Sequence, residues 1–95
     1  MDNQHQKIKG YRDLSQADID LVNEIKSQGE ALQALVAKVE SHTRRQLDSL
    51  GAAGDGEGSL RWSAAQPARW IAIARTDLQT GLMALTRAVA QPTNF

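Results

Sequence analysis

Residues 15–50, SQADIDLVNEIKSQGEALQALVAKVESHTRRQLDSL, decide the fold class of this 95-residue chain. Ser15 and, three residues later, Asp18 resemble a capping box, in which two side chains satisfy N–H groups that a helix start leaves free. Mostly apolar residues then recur at alternating steps of three and four, the spacing of a helix that packs along its length. These positions are Val22, Ile25, Gly29, Leu32, Val36, Val39, Thr43, Gln46 and Leu50. The stretch predicts one long helix over residues 15–50.

Residues 51–66 are expected to form a Gly-rich loop, because repeated glycine in GAAGDGEGS raises backbone entropy and offers little to bury. Pro67 then suits the first turn of a helix, where its missing N–H has no intrahelical partner. Helical spacing continues up to Pro92 through Ile71, Ala74, Leu78, Gly81, Leu82, Leu85 and Val89. A second helix is predicted over residues 67–91. Its extension backward by a turn through Leu60 and Trp62 is an alternative.

Two helices joined by one flexible segment fold most simply as an antiparallel hairpin. The prediction is therefore an all-α single domain over residues 1–95, with residues 1–14 as an N-terminal segment. Further apolar residues lie off the two main stripes: Leu21, Leu35, Trp70, Ile73 and Met83. A two-helix chain has no third layer to cover them, so we expect self-association into a closed, symmetric homo-oligomer.

The composition excludes several classes of protein. Lys plus Arg equals Asp plus Glu, at 11 each, which argues against a protein that binds polymeric nucleic acid or an anionic membrane through a strong overall field. Without cysteine there is no disulfide framework or thiolate metal site. The first ten residues lack the apolar core of a secretory signal, and no apolar run is long enough to span a membrane. We expect a soluble, intracellular protein.

The residues available for catalysis are few. His5 lies near the chain start and His42 late in the first predicted helix, and neither has a partner at metal-ligand spacing. The carboxylates of the first helix are read as a solvated face near its positive end, since no second group of chemical side chains converges on them. The glycines of the loop lack the strand and the GK[ST] ending of a phosphate-binding loop. The prediction is that the protein is not an enzyme and uses no metal or cofactor.

Binding is better supported, beginning with KGYR at residues 9–12. Tyr11 offers a flat ring for stacking on a base, Lys9 and Arg12 offer positive charge, and Gly10 allows close approach of a ligand or a second backbone. The alternative is that Tyr11 plugs a hydrophobic site where the N-terminal segment docks on the hairpin. The residues alone leave both interpretations open.

Lys26 adds a cation on the flank of the first helix that also carries Asn23 and Gly29. Its stem can lie on apolar surface while its ammonium reaches a groove, although Glu30, one turn later, is an alternative partner. On the second helix, Arg75 and Thr76 offer further anion contacts. Other hydroxyl groups there, Thr80 and Thr86 among them, are interpreted as hydrogen-bonding between subunits. Gly29 and Gly81 lie mid-helix, which favours close packing at both.

Segments 9–36 and 69–92 resemble the two helices of the phage anti-CBASS cyclic-oligonucleotide sponge family, whose hairpin domain also occurs in some anti-Thoeris sponges. The resemblance rests on three motifs taken together: GYR-x-L, IK-x-x-G and RTDLQTGLM-x-LTRA. It covers most of the chain outside the N-terminal residues and the loop.

The resemblance implies a non-enzymatic phage inhibitor of bacterial immunity that acts in the cytoplasm of the infected host. Such proteins bind cyclic di- and trinucleotide messengers, such as 3′,3′-cGAMP and cyclic tri-adenylate, and hold them away from CBASS effectors. The family fold is a short N-terminal helix plus two long antiparallel helices, assembled as a homohexamer with pockets between protomers and a separate pocket class for trinucleotides. Tyr11 would stack on a base and Lys26 would meet a phosphate. The expected ligand-binding set is Gly10, Tyr11, Arg12, Asn23, Lys26, Arg75 and Thr76.

Two alternatives belong to other functional classes. A structural or protein-interaction hairpin would oligomerise and bind a partner helix through its apolar flanks, with no affinity for nucleotides. An enzyme that degrades cyclic nucleotides would release new products, whereas a sponge returns its ligand unchanged.

Overall fold

A computed structural model describes Gly10 and residues 12–95. The chain forms an all-α hairpin of two long helices, α1 (Gln16–Ala52) and α3 (Pro67–Ala90), with a shorter helix, α2 (Gly56–Ala65), between them. Helix α1 packs against both α2 and α3. The short N-terminal helix implied by the resemblance lies outside the described residues.

The capping box predicted at the start of α1 is confirmed. The Ser15 hydroxyl accepts from the Asp18 backbone N–H at 3.1 Å, and the Asp18 carboxylate accepts from the Ser15 N–H at 2.9 Å. These bonds satisfy two donors that the first turn would otherwise leave free. Helix α1 continues two residues beyond Leu50 and ends before Gly54, whose positive φ of 67° turns the chain away.

The predicted loop over residues 51–66 is wrong for most of its length, because Gly56–Ala65 is helical. Asp55 caps this helix by accepting from the Gly58 N–H at 2.8 Å. The Trp62 indole N–H donates to the Thr43 carbonyl of α1 at 3.1 Å, which fixes α2 on α1. The cap and this tertiary contact offset the entropy cost of the glycines. The alternative prediction, a helical turn through Leu60 and Trp62, agrees better with the structure, but these residues belong to α2, which is separate from α3.

The packed face of α1 departs from the predicted stripe in its middle. Val39 and Gln46 are exposed, and their places on the half-buried face are taken by Glu40 and Leu47. Glu40 and Leu47 each lie one residue further along α1, so the order of the three- and four-residue steps differs from that of the predicted stripe. The half-buried positions from Val22 to Leu50 span 28 residues in eight steps, so their mean spacing is still the 3.5 residues of a heptad pattern.

Helix α3 contributes Ile71, the one buried hydrophobic side chain of the described residues, at 8% exposure. Leu85, predicted on the packed stripe, is exposed, and Thr86 lies on the half-buried face in its place. The Thr86 hydroxyl donates to the Leu82 carbonyl of its own helix at 3.0 Å, so the predicted role of Thr86 between subunits is not needed to satisfy it.

Large apolar side chains remain exposed along both long helices. Those predicted to lie off the main stripes include Leu21, Leu35, Trp70 and Met83, which are between 49% and 71% exposed. Ile73 is half-buried. The radius of gyration is 20.5 Å, against about 13 Å for a compact domain of this size. Within the described residues, neither long helix has the apolar run that crossing a membrane would require.

We predict that Gly58→Ala destabilises the fold. A Cβ at this position would lie 2.6 Å from an Asp55 carboxylate oxygen and 2.7 Å from Leu50 Cδ2, so the cap or the packing of α2 on α1 must shift. Gly56→Ala is the matched control, because its Cβ would meet nothing within 4 Å. The expected difference in free energy of unfolding is about 1–3 kcal/mol by urea titration. Equal stability of the two variants would contradict the packing described for α2.

Candidate functional site

A groove of about 420 Å³ runs between α1 and α3, within the size range of small-molecule sites. We call it the central groove. It is lined by Lys26, Gly29, Glu30, Leu32, Gln33, Val36, Arg75, Leu78, Gln79 and Leu82. Half-buried aliphatic side chains provide its apolar surface, and charged and amide side chains lie beside them.

The groove depends on the close approach of the two long helices at Gly29. A Cβ there would lie 3.2 Å from Leu82 Cδ1, so the small residue predicted to allow close packing does so. Gly81 differs, because a Cβ at that position would meet no described atom within 4 Å. Nothing described in the chain therefore explains why Gly81 lies in the middle of α3.

Two expected ligand-binding residues, Lys26 and Arg75, meet in the central groove. Arg75 lies 3.7 Å from the Glu40 carboxylate and remains 47% exposed at its side chain. No carboxylate among the described residues forms an ion pair with Lys26, so the alternative of a Lys26–Glu30 pair is not present. Among the described residues, the groove thus presents an unpaired ammonium and a partly paired guanidinium above apolar side chains. This arrangement suits an anion attached to an apolar group.

Asn23 and Thr76 are exposed and do not line the central groove. Asn23 lies one turn before Lys26 on α1, so it extends the same face toward the start of the helix. Thr76 lies beside Arg75 in sequence, about 100° around α3. In a single chain, the structure does not bring these two residues together with the groove cations.

Arg12 lies at the end of the hairpin rather than in the central groove. Its guanidinium contacts the Asp18 carboxylate at 2.8 Å and donates to the Val89 carbonyl at 2.6 Å. That carbonyl belongs to the last turn of α3, where C=O groups lack intrahelical partners and favour a cation. The positive charge of Arg12 is therefore already paired with groups of the same chain.

Gly10 is held at the same end by the C-terminal tail. Its carbonyl accepts from the Thr93 backbone N–H at 2.9 Å, and its φ of 86° is a conformation that favours glycine. A Cβ at Gly10 would lie 2.7 Å from the Asn94 side chain. Tyr11, the residue expected to stack on a base, lies outside the described residues.

We call the contacts among Gly10, Arg12, Asp18, Val89 and Thr93 the clasp. The clasp could not be predicted from the sequence, because it joins residues about 80 positions apart and no local pattern indicates such a contact. Helical spacing in the sequence does indicate the two amide residues of the central groove, Gln33 and Gln79. Gln33 falls at helical spacing from Lys26, and Gln79 lies one turn after Arg75.

The Asp18 carboxyl has a pKa lowered from 3.8 to about 2. The hydrogen bond from Arg12 is the main cause, followed by the bond from the Ser15 backbone N–H, because both favour the ionised form. Asp18 therefore links the start of α1 to the clasp through its negative charge.

A wider groove of about 750 Å³ lies at the other end of the hairpin, where α2 packs on α1. His42, Arg45 and Arg61 lie on its rim, and Trp62 and Leu50 contribute apolar surface. His42 is exposed, as its helical position predicts. The described residues contain no group of three or more His, Asp or Glu side chains placed to hold a metal ion.

Residues 3–90 match the family described as Acb2/Tad1, hairpin domain. The chain belongs to the Acb2/Tad1 hairpin family. A curated relative, "Anti-CBASS protein 2" of Pseudomonas phage JBD67, is 48% identical over an alignment of 105 positions, gaps included, that covers 97% of each chain. The resemblance inferred from the three motifs is therefore confirmed.

The Acb2/Tad1 match includes every residue that lines the central groove, as well as the Arg12, Asp18 and Val89 part of the clasp. Thr93 and Asn94 lie beyond the matched residues. The contact between the tail and Gly10 is therefore a feature of this chain that the family match does not itself describe.

The lowered pKa of Asp18 predicts acid-sensitive stability. Because the folded pKa of about 2 lies below the ordinary 3.8, this stabilisation is present above about pH 4 and is lost as the pH falls through 2. Asp18→Asn should flatten the fall of the free energy of unfolding between pH 4 and 2, as measured by urea titration at each pH. Asp20→Asn, the same charge change two residues further along α1, should keep the wild-type slope. Identical slopes for Asp18→Asn and wild type would contradict the assignment.

Proposed function

We propose that this protein binds cyclic di- and trinucleotide second messengers, such as 3′,3′-cGAMP and cyclic tri-adenylate, and sequesters them without degrading them. By removing the messengers from the cytoplasm of the infected bacterial host, it prevents activation of CBASS effectors. Membership of the Acb2/Tad1 hairpin family and the relative named Anti-CBASS protein 2 support this function.

The observation that carries the proposal is the Lys26 ammonium on the central groove, which no carboxylate of the described residues pairs, with Arg75 on the facing helix. A cyclic dinucleotide presents two phosphates and two flat bases. Lys26 meets a phosphate through a charge-assisted hydrogen bond, while aliphatic groove residues cover part of the ligand's apolar surface. Tyr11 stacks on a base, as the resemblance implies, and a stacked base contributes about 1–3 kcal/mol.

The pockets are completed by other copies of the chain, in a homo-oligomer that we propose to be a hexamer. Trp70 and Met83 are exposed at 57% and 71%, and Gly81 has no described packing partner within the chain. Covering this apolar surface supplies the free energy of assembly. Assembly also multiplies local cations, so a chain with no net charge collects enough of them to hold a dianionic ring.

Arg12 takes a different place in this proposal from a simple phosphate contact. Its guanidinium already contacts Asp18 and the Val89 carbonyl. Arg12 therefore supports ligand binding mainly by holding its own segment of the chain on the hairpin. Asn23 and Thr76 are exposed and remain available to a ligand or to a neighbouring copy. Their contacts with the ligand are proposed from the resemblance alone.

We predict that Lys26→Ala weakens binding of 3′,3′-cGAMP about 10- to 100-fold, the range for loss of a charged hydrogen bond. Tyr11→Ala should weaken it similarly through lost stacking. The measurement is isothermal titration, with oligomer mass checked by light scattering. Lys38→Ala removes the same charge from an exposed position about three turns further along α1 and should leave affinity unchanged.

Undiminished affinity in both Lys26→Ala and Tyr11→Ala would contradict the pocket assignment.

The second candidate function, a protein-interaction hairpin, is favoured by the exposed apolar side chains of both long helices. It predicts that the wild-type oligomer binds neither 3′,3′-cGAMP nor cyclic tri-adenylate.

A further inference from the structure

We propose that two copies of the chain pair through the exposed side of α1, antiparallel about a two-fold axis at the level of residue 33. Each copy then places the start of its α1 in the wide groove between α1 and α2 of the other. This inference rests on the homo-oligomer of the proposed function and names the surface and the register of one interface in it.

Helix α1 carries a second row of residues at helical spacing, apart from the face that packs on α3. From Leu21 to Arg45, residues of this row recur at alternating steps of three and four, the spacing by which two helices pack lengthwise. We call this row the outer stripe. Its middle is apolar, with Ala31 and with Leu35, which is 54% exposed. Every member is exposed in the described hairpin, so the chain by itself leaves the outer stripe uncovered.

The two ends of the outer stripe carry opposite charge. Glu24 lies near its start, whereas His42 and Arg45 lie at its end. Neither Glu24 nor Arg45 takes part in the ion pairs of the described residues. An antiparallel pair of these stripes brings each acidic end beside a basic end, whereas a parallel pair would bring like charges together. Charge complementarity therefore favours a second copy of this chain as the partner, in the antiparallel orientation.

The side chains of the outer stripe also select the register. About a two-fold axis at residue 33, each position faces the one equally far on the other side, so Ala31 lies opposite Leu35 at two places. A small residue facing a large one lets the helices interdigitate at the centre, while Glu24 faces the basic end. Moving the axis by half a heptad toward either end would place Leu35 against Glu24 or against Lys38. Of these three registers, the one about residue 33 covers Leu35 with an apolar side chain and pairs the charges.

The wide groove of about 750 Å³ between α1 and α2, which we call the end groove, provides a place for the partner helix. His42 and Arg45, the basic end of the outer stripe, line it from α1, and Arg61 and Trp62 line it from α2. No carboxylate of the described residues lines it. In this register Leu21, 49% exposed in the single chain, enters the partner's end groove, where the indole and the aliphatic stems of arginine cover it.

This pairing leaves the central groove open. Lys26 and Gln33, which line that groove, each lie two residues from a member of the outer stripe, or about 160° around α1. A helix packed on the outer stripe therefore lies on the opposite side of α1 from the central groove. Because the pair is two-fold symmetric, three such pairs around a three-fold axis form a closed hexamer.

The first experiment reverses the charges at the ends of the outer stripe. Glu24→Lys places like charges together at both ends of the pair and should raise the dissociation constant of the oligomer about 10- to 100-fold, measured by light scattering over a dilution series. Adding Arg45→Glu to Glu24→Lys restores opposite charges and should return the constant to within about threefold of wild type. Asp48→Lys, the same charge change at an exposed position of α1 outside the stripe, should leave it unchanged. Circular dichroism confirms that each variant keeps its helicity.

The second experiment tests the register by disulfide formation, since the natural chain has no cysteine. Glu24 and His42 face each other in this register, yet within one chain they lie about 27 Å apart along α1, too far for a disulfide. Glu24→Cys combined with His42→Cys should therefore give a covalent dimer under mild oxidation. Glu24→Cys alone should stay monomeric on a denaturing gel, because only a parallel pair brings residue 24 beside itself.

Three results would overturn this interface while leaving the proposed function intact: a covalent dimer from Glu24→Cys alone, wild-type mass for Glu24→Lys, or no recovery when Arg45→Glu is added. A wild-type chain that is monomeric at every concentration would overturn both this interface and the homo-oligomer of the proposed function. Titration with 3′,3′-cGAMP tests sequestration separately. The variant that combines Glu24→Lys with Arg45→Glu should bind this ring with wild-type affinity, because the central groove is unchanged in it.

Discussion

The close approach of α1 and α3 at Gly29 is the constraint on which the arrangement of this protein depends. With no side chain at that position, Leu82 comes within 3.2 Å of where a Cβ would stand, and the two helices share one packed seam. The same approach places Lys26 and Arg75 on opposite sides of one groove. A seam between two helices covers one face of each, which is why Met83 and other apolar side chains stay exposed. The groove of the hairpin and the apolar surface that it leaves exposed therefore follow from the same geometry.

Charge interactions in this chain act between neighbouring side chains and not through a net charge. The charges sum to zero, and two of the cations near the groove or the clasp already have partners: Arg12 with Asp18, and Arg75 with Glu40. Exposed ion pairs of this kind contribute little to stability, but they determine which cations remain for a ligand. Lys26 is a groove cation without a carboxylate partner among the described residues, so the anion-binding proposal depends on it most heavily.

The parts of the fold that local chemistry controls could be predicted from the sequence. The Ser15 cap and the Pro67 helix start were predictable because both depend on backbone groups within one turn. Helix α2 was missed because the contact of Trp62 with Thr43 joins residues 19 positions apart and outweighs the local effect of glycine. In the site, Lys26 and Arg75 could each be named from the sequence as cations beside apolar positions, but their meeting in one groove depends on how α1 and α3 pack. The partners of Arg12 could not, since they depend on where the far end of the chain returns.

The most direct test of the central claim, sequestration without turnover, is recovery of the ligand. A known amount of 3′,3′-cGAMP is incubated with excess oligomer, the free ligand is measured after ultrafiltration, and the retained fraction is then heat-denatured and quantified by chromatography. The account predicts that free ligand is depleted in proportion to the protein added and that the retained ligand is recovered unchanged. New product peaks would indicate an enzyme, and undepleted free ligand would contradict binding.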